Sequence, residues 1–305
     1  MTGQRETRVD WPTVDGLRLR CVTWRGEGQR RGTVVICNGR TEFVEKYQGV
    51  VPELLERRFD VVAFDWRGQG LSDRLLADRA KGHIERYEDY QADLAAITEL
   101  VEARRLPGPR LMLAHSMGGQ VGLRFLHDRP GFFAGAAMTA PLIQMRFGNL
   151  AASAVSAMVR LMCLIGRAEA YVPGQGPRPY AYHPFEGNVL TSSEEHYLAF
   201  RALLEADPEL RLGGPTHGWV RAGLRSIAQT HRPAYAAAIQ VPVLLARAEN
   251  EQVVDNPAIG QMAEWLPKGE LLEIAQARHE ILIEQAPARR AFWDGFDRWL
   301  SRIPS

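Results

Sequence analysis

The sequence predicts an α/β fold, and three observations carry that expectation. Short, continuously apolar runs recur along the chain, as in parallel strands covered by helices on both faces. Stretches of helical periodicity fill most of the gaps between them. At 305 residues, 46% hydrophobic and 24% charged, the chain is too apolar for disorder and long enough to bury a sizeable core. Strands alternating with helices in this way build a mostly parallel sheet joined by right-handed crossovers.

Taken in order, Leu17, Leu19 and Cys21 alternate after an Asp15-Gly16 turn and predict an N-terminal hairpin strand. Residues 33–37, 61–64, 111–114, 136–138, 243–245 and 271–274 read as strands buried on both faces. Val50, Val51, Leu54 and Leu55 share one helix face, and Tyr90, Leu94, Ile97 and Val101 share another that ends near Arg105, before Pro107. Residues 120–127 read as a further helix, and Phe292, Phe296, Trp299 and Leu300 mark a C-terminal one. About a hundred residues separate the strand at Ala136 from the strand at Val243, where a crossover usually needs a few dozen. Residues 141–233 are therefore expected to be an inserted helical cap, with residues 1–140 and 234–305 forming the core. Within the insertion, 150–166 and 194–205 have apolar helical character, and the Pro/Gly-rich stretch 172–179 reads as a loop. Insertions at the C-terminal ends of strands commonly cover active sites.

The 37 basic and 36 acidic side chains leave a formal charge of +1, which gives no global pull toward nucleic acid. Cys21, Cys37 and Cys163 lie far apart without CxxC spacing, which argues against a disulfide scaffold or a cysteine zinc site and fits a reducing compartment. The first eight residues are polar and lack the apolar centre of a signal peptide. The window 150–166 is at the short limit for a membrane span and contains Arg160. A cytoplasmic protein is expected, with peripheral membrane contact left open.

The chemistry is read from the junction after 111–114. His115-Ser116-Met117-Gly118-Gly119 follows that strand directly, and a helix follows in turn. A serine on so sharp a strand-to-helix turn needs small neighbours two residues away on each side, and Ala114 and Gly118 supply them. The turn exposes the hydroxyl, and the helix N-terminus favours developing negative charge. A serine hydroxyl is a weak nucleophile and needs a base. Of eight histidines, His279 is best placed, after the last strand and a short loop. His115 adjoins the serine but is expected to point elsewhere from the tight turn. The acid should follow the strand at 243–245, where Glu249, Glu251 and Asp255 crowd together and spacing alone does not choose. The oxyanion needs two backbone N–H donors: Met117, after the nucleophile, and Arg40, presented by the turn at Gly39 in the loop Asn38-Gly39-Arg40-Thr41-Glu42.

Together these residues resemble the α/β-hydrolase superfamily, and within it the lysophospholipase L2-like and monoacylglycerol lipase-like branch. The resemblance covers nearly the whole chain. Residues 38–47 look like the family's oxyanion loop, and 64–73, Phe64-Asp65-Trp66-Arg67-Gly68-Gln69-Gly70-Leu71-Ser72-Asp73, are similar to a supporting loop that does not supply the nucleophile. Residues 114–119 match the nucleophile elbow, 248–256 the acid loop and 277–282 the histidine loop; 184–191 and 213–216 look like cap segments. The resemblance selects Glu251 as the acid, with Asp255 a second carboxylate of the same loop and Glu249 where many relatives have Gly. The sequence departs from the family in having Asn38-Gly39 for a widespread His-Gly, and Glu for the more common Asp.

The implied reaction is ester hydrolysis through a Ser116–His279–Glu251 triad and an acyl-enzyme, on a lysophospholipid or monoacylglycerol. It requires no metal or organic cofactor; the sequence has no His-Glu-x-x-His motif and no P-loop, and Arg67-Gly68-Gln69-Gly70 is too short for a dinucleotide fingerprint. Met145, Phe147, Met158, Leu161, Met162 and Leu164 are the residues expected to meet an acyl chain. The rival readings are a small-ester hydrolase, an amidase or peptidase with a pocket for a substrate amine, and a non-catalytic binding protein on the same fold. An epoxide hydrolase or dehalogenase is disfavoured, because it would carry Asp at the elbow.

Overall fold

The computed structural model describes residues 6–148 and 150–303; the first five residues of the polar N-terminal stretch, and Asn149 in the insertion, lie outside the described residues. The strands are β1 (Glu6–Asp10), β2 (Thr13–Val14), β3 (Leu17–Arg18), β4 (Cys21–Arg25), β5 (Gly32–Cys37), β6 (Phe59–Phe64), β7 (Arg110–His115), β8 (Gly135–Thr139), β9 (Val243–Ala248) and β10 (Gly269–Ile274). The helices are α1 (Val51–Glu56), α2 (Tyr87–Ala103), α3 (Met117–Asp128), α4 (Ala152–Leu164), α5 (Glu194–Ala206), α6 (His217–Thr230), α7 (Pro233–Ala237), α8 (Asn256–Trp265) and α9 (Ala286–Leu300).

An eight-stranded sheet runs in the order β1-β4-β6-β5-β7-β8-β9-β10. Only the β1–β4 and β4–β6 pairs are antiparallel; from β6 to β10 every neighbour is parallel. The central strands are buried throughout, as their unbroken apolar runs require. Tyr87, Leu94 and Ile97 of α2, Val121 and Phe125 of α3 and Ile259 of α8 pack against one sheet face. Leu54 of α1 and Phe292, Phe296 and Trp299 of α9 cover the other. Because the strands are parallel, the loops after β5, β7, β9 and β10 emerge at one end of the sheet, and each carries a candidate site residue: Arg40, Ser116, Glu251 and His279 in turn.

Three expectations need correction. The strand at 271–274 is not buried on both faces: β10 is the sheet edge, and Leu271 is 40% exposed. The alternation of Leu17, Leu19 and Cys21 spans two strands. Asp15 and Gly16, both with positive φ, turn a small β2–β3 hairpin, and the chain then enters β4 of the main sheet. Between β8 and β9 the sequence pointed to two helices, and α6 and α7 are present as well. The apolar positions Trp219, Val220, Ala222 and Ile227 of α6 are buried. Its start was marked by Thr216, whose side chain caps the helix by accepting the Trp219 N–H.

Candidate active site

The Ser116 backbone sits at φ 49° and ψ −114°, a conformation that costs a non-glycine residue energy and persists only where its surroundings over-determine it. Those surroundings are explicit. The Ser116 N–H donates to the Thr139 carbonyl at 3.1 Å, and the Ser116 carbonyl accepts from Gly119 and Leu142, each at 2.9 Å. A Cβ on Gly118 would lie 2.0 Å from the Cys37 carbonyl oxygen, so this position admits no side chain. A Cβ on Gly119 would lie 2.5 Å from the Pro141 Cβ. The tight turn therefore follows from small residues at the crossing of β5, β7 and the chain after β8, and it leaves the serine hydroxyl at the N-terminus of α3.

His279 Nε2 lies 3.0 Å from Ser116 Oγ, and His279 Nδ1 lies 2.8 Å from Glu251 Oε2. The other Glu251 oxygen accepts the Val253 and Val254 amides at 2.6 and 3.2 Å. Burial works against ionisation of Glu251, but the His279 ring and these amides hold its carboxyl below the ordinary value. The two alternatives are occupied elsewhere. Glu249 accepts the Gln276 amide at 2.7 Å, and Asp255 caps α8 by accepting the Ala258 amide at 2.9 Å. His115 does turn away from Ser116, with Nδ1 3.0 Å from the Thr139 carbonyl, but its ring packs on His279 at 4.8 Å between centroids. Burial pushes the His115 imidazole down to about 4, so it stands neutral beside His279 at neutral pH.

The loop after β5 is held from three sides. Glu42 accepts the Gly39 amide, Gln69 accepts the Thr41 amide at 3.0 Å and donates to the Gly39 carbonyl at 3.1 Å, and the Trp66 indole donates to the Asn38 carbonyl at 2.9 Å. Among the described residues, the intervening Arg40 amide and the Met117 amide have no partner. Glu42 also takes bonds from Tyr47 at 2.7 Å and Lys46 at 2.8 Å, and Lys46 bridges on to Glu280. Although burial opposes it, Lys46 and His115 draw the Glu42 carboxyl down to about 2, so it is an ionised, buried anchor. Sequence reasoning singled out neither Glu42 and Lys46 nor Gln69 and Glu280 for a role. The signal was there: Glu42 and Lys46 lie in the loop expected to supply the Arg40 amide, Gln69 in the segment 64–73, and Glu280 directly beside His279.

These groups open onto a cleft of about 430 Å³. Leu142, Met145, Phe147, Val172, Trp219, Val220, Val253 and Val254 form its apolar wall, and Arg40, Arg146 and Arg178 bring charge to it. Most of the wall thus comes from residues 141–233, but α4 contributes nothing to it. Of the residues expected to meet an acyl chain, Met145 and Phe147 line the cleft and Met158 packs on the core. Leu161 and Leu164 face outward, 58% and 83% exposed. Helical periodicity shows that a face is apolar, and it does not show which way the helix presents it.

Comparison with known proteins agrees with this architecture. The family model described as serine aminopeptidase, S33, matches residues 28–286. Lysophospholipase L2 of Escherichia coli (strain K12) is 36% identical, over 97% of this chain and 88% of that protein. The chain belongs to this α/β-hydrolase family. A probable lysophospholipase L2 of Haemophilus influenzae is 30% identical over 87% of this chain and 82% of its own length. In fold, the chain is similar to a soluble variant of the Saccharomyces cerevisiae monoglyceride lipase solved with a substrate analogue. That match has a TM-score of 0.77 at 18% identity and covers 100% of this chain and 99% of that one.

Proposed function

We propose that this α/β-hydrolase, a carboxylic ester hydrolase by its family, cleaves the acyl ester of a single-chain glycerolipid through an acyl-enzyme on Ser116. The observation that carries the reading is the continuous set Glu251–His279–Ser116, at 2.8 and 3.0 Å, opening onto a cleft whose wall is largely apolar. His279 takes the Ser116 proton as Oγ attacks the ester carbonyl, and Glu251 keeps the imidazole in the required tautomer and balances its positive charge. The Arg40 and Met117 amides receive the oxyanion. His279 then gives its proton to the leaving alcohol, and water repeats the sequence on the acyl group. In this reading residues 141–233 are a cap over the core formed by 1–140 and 234–305, and the acyl chain lies against Met145, Phe147, Val172 and Val220.

The family description and the rival reading both raise an aminopeptidase. A substrate amine needs a free carboxylate, and the two that line this cleft, Glu42 and Glu280, both engage Lys46. The arginines at its wall would repel an amine. Contact with a lipid surface has its own support at the C-terminal end of α4. Leu161, Leu164 and Ile165 are exposed there, beside a groove lined by Arg160, Arg221 and Arg225, which suits an anionic bilayer. No described helix is long and apolar enough to cross a membrane. The three cysteines are unpaired, which supports a reducing, cytoplasmic setting.

The test is a substrate panel on one preparation: lysophospholipids, monoacylglycerols, p-nitrophenyl esters and aminoacyl amides. The reading expects the single-chain lipid esters to give the highest kcat/KM. An amide with a free amine giving the highest value would transfer the chain to the peptidases.

A further inference from the structure

Among the described residues, the arginines that line the cleft form no ion pair with a carboxylate. The Arg40 guanidinium lies over the Trp219 ring, 5.3 Å from its centroid, and donates through Nη2 to the Gly213 carbonyl at 2.7 Å. Its Nε is shut off from solvent and has no partner among the described residues. Arg178 is exposed at the mouth of the cleft and donates to the Tyr182 carbonyl. Both line the cleft, and their backbone supports adjoin. Arg40 bonds Gly213, whose Cα packs so closely on Pro177 that an added Cβ would lie 2.8 Å from its backbone, and Arg178 follows Pro177 in the chain. No ion pair joins either arginine to a carboxylate among the described residues, while Glu42 and Glu280, which line the same cleft, share Lys46. Arg40 is half-buried, and a guanidinium partly withdrawn from water is costly unless a counter-charge meets it. Burial is strong enough to lower the Arg40 guanidinium to about 10.

The placement gives the charge a purpose. Arg40 belongs to the loop whose backbone faces Ser116, so its side chain starts beside the scissile ester and reaches away from it. A lysophospholipid carries its phosphate a few bonds from that ester, whereas a monoacylglycerol carries only hydroxyls there. Guanidinium groups present paired donors that match two phosphate oxygens.

Resting on the ester-lipid reading above, we infer that Arg40 and Arg178 form an anion subsite that binds the head-group phosphate and selects lysophospholipids over neutral monoacylglycerols. The experiment measures kcat/KM for a lysophosphatidylethanolamine and a monoacylglycerol with the same acyl chain, below the micelle-forming concentration. It uses wild type, Arg40→Gln, Arg178→Gln and Arg40→Lys. Each Gln variant is expected to lower the phosphate-to-neutral ratio by roughly tenfold or more, mostly through KM, as for loss of a charged hydrogen-bonding partner. Arg40→Lys should restore part of the ratio, because the charge returns without the paired donors. Inorganic phosphate titrated against monoacylglycerol turnover separates the sources of the anion. Competitive inhibition that weakens in Arg40→Gln supports a subsite that also takes free phosphate. Absence of inhibition, with the ratio still falling, supports one that takes phosphate only as part of the lipid. A ratio within about twofold of wild type in both Gln variants, less than one such bond contributes, overturns the subsite while leaving the ester-lipid reading intact. Wild type that hydrolyses neither ester overturns both.

Discussion

At the scale of single residues, the proposed catalysis rests on Ser116, His279 and Glu251 acting as a unit. Ser116→Ala and His279→Ala should each lower ester turnover by on the order of 10⁴-fold or more, with the circular dichroism spectrum unchanged. Turnover within about tenfold of wild type in either variant would remove the proposed mechanism. Glu251→Gln should cost far more than Glu249→Gln or Asp255→Asn in a steady-state comparison, since the Glu249 carboxylate holds the Gln276 amide and the Asp255 carboxylate caps α8. A larger loss at Asp255→Asn would move the acid there. The sequence pointed to Ser116 through a local pattern of strand, small residues and helix. His279 was legible only through its place after the last strand. Glu251 was not separable from its neighbours by spacing, because the choice depends on which carboxylate the loop after β9 turns toward the imidazole. The Glu42 anchor was not read for a similar reason: its partners Gly39 and Tyr47 are local, but its meeting with Glu280 through Lys46 joins segments far apart in the chain.

At the scale of elements, α4 separates two roles that its composition had merged. Its apolar side chains were expected to hold the acyl chain, yet the cleft is walled by Met145, Phe147 and Val172 from the segments before and after it. Each methylene buried there contributes about 0.8 kcal/mol, so lengthening an ester from about four to about eight carbons should raise kcat/KM by about two hundredfold. Met145→Asp should flatten that dependence, and Leu161→Asp should leave it nearly intact. With vesicles containing anionic lipid the order reverses: Leu161→Asp should reduce the fraction that sediments with them, because the exposed Leu161 belongs to the outward face of α4. A chain-length profile that falls steadily beyond four carbons would instead indicate a small-ester hydrolase. The buried core strands and α1, α2, α3 and α9 were legible because a two-sided apolar run or a single apolar stripe fixes them locally. The edge position of β10 and the orientation of α4 were not, since both depend on neighbours distant in sequence.

At the scale of the whole molecule, the site places ionisable groups in the core, and acid should act on them. His115 falls to about 4 from 6.5, so the unfolded chain takes up its proton first and stability is lost as pH falls from 6.5 toward 4. Glu42, drawn to about 2 from 4.5, loses its contribution in a lower window, from 4.5 toward 2. Asp65 and Asp93, pushed by burial up to about 6 from 3.8, act in the opposite direction, with stability lost as pH rises through 6. The readable quantity is therefore a difference between chains. Denaturant midpoints of His115→Asn should fall less than those of wild type between about pH 7 and 4, by up to ~3 kcal/mol in unfolding free energy. Equal slopes would mean that His115 is not held neutral by the fold. The same assembly of loops at one end of the sheet makes the central claim, that Ser116 carries the acyl group during turnover. Its most direct test is intact-protein and peptide mass spectrometry after acid quenching of a reaction with a slowly deacylating ester. An added acyl mass is expected on the peptide containing Ser116, absent in Ser116→Ala. Steady ester turnover with no adduct at Ser116, or with an adduct that persists in Ser116→Ala, would contradict it.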